Sequence, residues 1–127
     1  MQWFSRAKRK DIWDQPLDAP VGDIEAAKRI REICLSATDS AVKVGAAADR
    51  SDKKVKRDLE RYEHAARMAM EIAMKVSDEL LRDAAVRHII ELCLKAGNVT
   101  TAKTLFRAIQ SKSIRDDALR DFPQLQP

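Results

Sequence analysis

The chain has 127 residues, of which 45% are hydrophobic and 35% are charged, with only three glycines and four prolines. This composition is typical of one helix-rich globular domain and excludes a disordered or fibrous protein. The net charge of +4 is local, because residues 1–10 hold four of the 24 basic residues and none of the 20 acidic ones, which leaves 20 of each in residues 11–127. A soluble, cytoplasmic protein without a transmembrane segment is expected, since no apolar run approaches the roughly 20 residues that cross a bilayer.

Residues 1–22 are predicted to form a basic and aromatic N-terminal arm. Pro16 and Pro20 prevent a long helix there. Aromatic residues flank the basic cluster, so the arm is a candidate for weak contact with an anionic membrane surface or a nucleic-acid backbone. The residues that would make this contact are Trp3, Phe4, Arg6, Lys8, Arg9 and Lys10. The alternative interpretation is a disordered tail that aids solubility.

Two long amphipathic helices are predicted over 23–48 and 53–76, because apolar residues recur in both at alternating spacings of three and four. They are Ala27, Ile30, Cys34, Ala37, Ala41, Val44 and Ala48, then Val55, Leu59, Tyr62, Ala66, Ala69, Ala73 and Val76. Asp23 is expected to cap the first helix, and Ser51 or Asp52 the second, after a turn over 49–54. One uninterrupted helix over 24–77, which would need a partner chain along its length, is the alternative.

A second basic cluster falls at the predicted turn, within residues 50–57. Its candidate phosphate contacts are Lys53, Lys54 and Arg57. Acidic residues bracket the cluster and no aromatic side chain is interleaved for stacking on bases, so the sequence does not favour nucleic acid as the partner.

Three shorter helices are predicted over 78–96, 98–110 and 113–122. Ser77 and Asp78 offer a cap for the first of them, and Gly97 can take the left-handed conformation that ends it. Asn98 starts the next helix, and Pro123 ends the last. Residues 23–122 are therefore predicted to form a single all-α domain of antiparallel helical hairpins, followed by a frayed tail over 123–127.

The chain also matches itself when it is shifted so that residue 81 falls on residue 114. Residues 81–87 then align with 114–120, and the apolar residues at 69, 72 and 76 align with those at 102, 105 and 109. Periods near this length indicate stacked helical hairpins. A compact bundle of four or five helices fits the same apolar pattern.

One segment resembles a known family. Ala96-Gly97-Asn98-Val99, Ala102-Lys103, Ile109, Ile114-Arg115-Asp116 and Ala118-Leu119 resemble the tetratricopeptide-like (TPR-like) repeats of bacterial proteins, over roughly residues 62–122. The resemblance implies a helical solenoid with a groove that binds peptides or protein partners, and no catalytic residues of its own.

No motif commits the chain to a reaction. His64 and His88 each have one glutamate at helical spacing, whereas a metal site needs three or four converging ligands. The three glycines are isolated, so there is no phosphate-binding loop. Cys34 and Cys93 lie in apolar stripes and are expected to be reduced and buried. The sequence therefore predicts a protein that is not an enzyme and that holds no metal or cofactor.

The predicted function is a non-catalytic protein–protein interaction module, either a TPR-like adaptor or a protein that associates with itself. Met68 and Met70 widen the apolar face of the second helix, where they fill the core or receive a partner. The candidate contact residues are Met68, Met70, Phe106 and Arg107. The alternative function is a small binder of nucleic acid or of an anionic membrane surface, acting through the arm and the cluster at 50–57.

Overall fold

The computed structural model describes residue 12, residues 22–49 and residues 51–127. Within these residues the chain forms five helices and no strand, so the predicted all-α fold is confirmed. The helices are α1 (Asp23–Ala46), α2 (Lys53–Ala73), α3 (Glu79–Lys95), α4 (Val99–Arg107) and α5 (Lys112–Asp121), followed by a 3₁₀ helix (Pro123–Leu125). None of the described helices is long and apolar enough to span a membrane. The N-terminal arm, apart from Ile12 and Gly22, lies outside the described residues.

The chain turns between α1 and α2, so these segments do not form the single long helix considered as an alternative. Asp52 caps α2 as predicted, because its carboxylate accepts a hydrogen bond from the Lys54 amide at 2.9 Å. Asp49 accepts bonds from the amide and the hydroxyl of Ser51 at 2.9 and 2.7 Å. Ala48 was predicted to belong to the core, but it lies in this turn and is exposed.

Helix α1 is central to the packing. It lies against both α2 and α3, while α3 also contacts α4 and α5. Much of the interface is alanine, which allows helix axes to approach closely. The buried residues of α1 are Ala26, Ile30, Ile33, Cys34, Ala37, Ser40, Ala41 and Val44. They include most of the apolar column that the sequence predicted.

Helices α1 and α3 run side by side in the same direction. At their N-terminal ends, the Asp23 carboxylate accepts hydrogen bonds from the amides of Ser77 at 3.0 Å and Asp78 at 2.7 Å. At their C-terminal ends, Gly45 lies so close to α3 that a Cβ atom added to it would stand 2.1 Å from the Lys95 carbonyl oxygen. Because the two ends are fixed in this way, α1 and α2 form one hairpin that packs beside the hairpin of α3 and α4.

The role predicted for Asp23 was wrong. Gly22 occupies the N-cap position of α1, in an extended conformation, and Asp23 is the first helical residue. The Asp23 side chain instead binds the turn before α3, where its two hydrogen bonds lower the pKa of the carboxyl group, that to Ser77 most. A local capping rule could not show a partner that lies 54 residues further along the chain.

The caps predicted at Asp78 and Asn98 are present, whereas three helices end earlier than predicted, at Ala46, Ala73 and Arg107 instead of at residues 48, 76 and 110. Asp78 accepts a bond from the Leu81 amide at 2.9 Å, and Asn98 accepts one from the Thr101 amide at 3.2 Å. Gly97 ends α3 with a φ of 75°, which is the left-handed conformation.

The frayed tail predicted over 123–127 was wrong for its first part. Pro123 ends α5 but begins a 3₁₀ helix, and Leu125 is only 3% exposed. The Arg87 guanidinium lies 5.2 Å from the centre of the Phe122 ring and pairs with Asp121. These contacts hold the C-terminal turn against the core, because burial of an apolar side chain outweighs the entropy that a free tail would keep.

Replacing Gly45 with alanine tests the close approach of α1 and α3. In an ordinary helix this change stabilises by roughly 0.5–1 kcal/mol. Here we expect Gly45→Ala to lower the free energy of unfolding by about 1–3 kcal/mol, because the new methyl group meets backbone. Urea denaturation measures the change. Gly22→Ala is the matched control, since nothing lies within 4 Å of its added Cβ. A stabilised Gly45→Ala protein would contradict the contact.

Candidate functional site

An apolar strip runs along the outer face of α1. Ile24, Leu35 and Val42 are 73%, 66% and 49% exposed. Leu35 and Val42 follow Ile24 by close to three and five whole helical turns, so the three side chains form one line. We call this line the α1 strip. Since the opposite side of the helix faces the core, α1 is apolar on two faces, whereas a surface helix normally has one.

Charged residues surround the α1 strip. Lys28 and Arg31 lie on it, between Ile24 and Leu35. Carboxylates follow one of its edges at heptad spacing, which keeps them on one side of the helix. These acids are Glu25, Glu32 and Asp39, and all five charged side chains are exposed. A partner would therefore meet apolar contacts at the centre and charges of both signs around them.

A shallow groove separates the other edge of the strip from α3. It is lined by Arg31, Cys34, Leu35, Thr38, His88, Glu91, Leu92 and Lys95. Its volume is about 40 Å³, far below the roughly 300–1,000 Å³ of pockets that enclose a small-molecule ligand. The groove can take the edge of a side chain, but it is too small to enclose a metabolite.

Polar groups on α3 form one wall of this groove. Glu91 and Lys95, one helical turn apart on α3, make an ion pair at 3.2 Å. Partial burial lowers the pKa of His88, the nearby Glu91 raises it, and Arg31 and Arg87 lower it further. The net shift is downward, so the His88 ring is neutral at neutral pH. It then offers a partner both a donor and an acceptor nitrogen.

The two cysteines are buried and free, as the sequence predicted. Burial is the largest cause that raises the pKa of the Cys34 thiol, to about 12. Burial likewise raises the pKa of Cys93, and the neighbouring Tyr62 side chain partly offsets this rise. The Tyr62 hydroxyl accepts a hydrogen bond from the Asn98 side-chain amide at 3.1 Å. Both thiols stay protonated near neutral pH, so they serve packing rather than nucleophilic chemistry.

A buried carboxylate joins α3 to α5. Asp83 is 1% exposed, and it accepts hydrogen bonds from the amides of Gln110 at 3.0 Å and Ser111 at 2.7 Å. When the sequence is aligned with itself so that residue 81 matches residue 114, Ser77 and Asp78 match Gln110 and Ser111. The amides that bind Asp83 therefore correspond to the amides that bind Asp23. At both turns, a carboxylate from an earlier helix accepts two backbone amides just before the next helix begins.

The partner residues predicted from sequence lie elsewhere. Met68 and Met70 on α2 are half-buried and pack against the core, as does Phe106 on α4. The guanidinium of Arg115 lies 5.8 Å from the centre of the Phe106 ring. Arg107 is exposed at the end of α4. Their contact with a partner stays a prediction, but the methionines offer less free apolar surface than the α1 strip.

The basic residues predicted to contact anions lie in two places. Lys53, Lys54 and Arg57 are exposed on the first two turns of α2. Trp3, Phe4, Arg6, Lys8, Arg9 and Lys10 fall outside the described residues. The binding of nucleic acid or an anionic surface therefore stays a prediction. Among the described residues, no group of three or more metal-ligating side chains converges.

Sequence reasoning missed the α1 strip, although its spacing was readable. The larger set of apolar residues in α1 lies on the side of the helix that faces the core. The strip residues fall between them in the sequence and are separated from one another by whole helical turns. Its exposure could not be read from the spacing, because a helix with two apolar faces is equally consistent with burial on both sides. The strip is exposed because α2 and α3 both pack against the other side of α1.

Comparison of the chain with protein-family models, curated proteins and solved structures finds no match. The geometry of the α1 strip and groove is therefore the basis for assigning a function.

Removing the Asp83 carboxylate tests the joint between α3 and α5. We expect Asp83→Ala to lower the free energy of unfolding by about 1–3 kcal/mol, because two backbone amides lose their buried acceptor. Asp116→Ala is the matched control, since Asp116 is the residue that aligns with Asp83 in the self-match but is exposed and pairs with Lys112. That control should change stability by less than about 0.5 kcal/mol. Equal effects in denaturant titrations would contradict the role of Asp83.

The pH dependence of His88 tests the groove. Because the folded-state pKa lies below the ordinary 6.5, the unfolded chain takes up the proton first as pH falls. Stability from this residue is therefore present above about pH 6.5 and is lost on acidification below it. We expect an NMR titration midpoint below 6.5, and a smaller loss of stability on acidification in His88→Gln. His64→Gln identifies which histidine resonance is which. A midpoint above the ordinary value would contradict this, because it would mean that the Glu91 carboxylate raises the pKa by more than burial and the arginines lower it.

Proposed function

We propose that this protein is a non-catalytic, cytoplasmic protein-interaction module, and that its contact surface is the α1 strip together with the groove beside α3. The observation that carries this proposal is the exposed apolar line on a helix whose other face is already buried. Full burial of a leucine or isoleucine side chain contributes about 1.5–3 kcal/mol. Ile24, Leu35 and Val42 could thus contribute several kcal/mol to association with a partner.

The organisation of the helices supports the same proposal. Hairpins that pack side by side present a row of parallel helices, here α1 and α3, and such rows form extended surfaces for partners. The turn whose amides bind Asp23 and the turn whose amides bind Asp83 align with each other when the sequence is matched against itself. On this basis we keep a TPR-like hairpin array as the proposed architecture.

The chemistry of the site fits binding better than catalysis. The groove holds about 40 Å³, whereas pockets for small molecules usually hold about 300–1,000 Å³. The high pKa of Cys34 keeps the one sulfur that lines the groove in its protonated form. The charged side chains at the rim are suited to orienting a protein surface.

Site-specific photo-crosslinking tests the proposed function. A benzophenone amino acid at position 35 should give a discrete adduct in cells that produce the protein, because Leu35 lies at the centre of the contact surface. Position 117 is the control, since Asp117 is exposed on α5 and lies outside the surface. We expect the adduct only from position 35. Equal, diffuse background from both positions would contradict the proposal.

A further inference from the structure

We draw no further inference here: the strongest candidate, the exposed apolar line of Ile24, Leu35 and Val42 on the outer face of α1, belongs to the contact surface already described, and nothing in the structure shows what covers it.

Discussion

The alignment of α1 with α3 is the constraint on which the rest of the structure depends. At the N-terminal ends of the two helices, the Asp23 carboxylate accepts hydrogen bonds from two backbone amides before α3. At the C-terminal ends, α1 has no side chain at Gly45, which lets it lie close to the backbone of α3. Backbone amides at a helix start need acceptors, and a missing Cβ lets two backbones come close. In this arrangement α2 and α4 are the returning helices of two hairpins, and Ile24, Leu35 and Val42 on the outer face of α1 are exposed.

This constraint holds α1 in the fold through its inner face alone. Its inner face buries a nearly continuous set of small and branched side chains, so the helix does not depend on the outer strip for stability. A surface that binds should be rigid before it binds, because ordering flexible groups costs free energy that association must overcome. The strip is held on such a helix, and the groove wall on α3 is held by the same two end contacts.

Much of the architecture was readable from the sequence, because it depends on local rules. The spacing of apolar residues predicted the helices, and Asp52, Asp78, Gly97 and Asn98 marked their ends. What failed required contacts between distant residues. Asp23 reaches a turn 54 residues away, and Leu125 is buried by helices that precede it. Capping rules and composition treat both as local, so they assigned Asp23 to its own helix and the C-terminal residues to solvent.

The candidate site was harder to predict for a related reason. The methionines of α2 are adaptable side chains that suit a partner surface, but the packing of α2 uses Met68 and Met70 for the core. On α1, the residues left exposed are decided by which two neighbours cover the helix, and the sequence does not specify that arrangement. The predicted class of function and the predicted contact residues thus depended on different kinds of information.

The hydrogen bonds between the Asp83 carboxylate and the amides at the start of α5 affect the order in which parts of the protein unfold. Helix α5 has ten residues, too few to persist alone in water, so its helical state depends on its attachment to α3. Opening of the α5 start would leave the buried Asp83 carboxylate without its two donors, which links fraying of the C-terminus to the first turns of α3. Amide hydrogens in these two segments should therefore exchange with solvent as one cooperative unit, at a free energy below that of global unfolding.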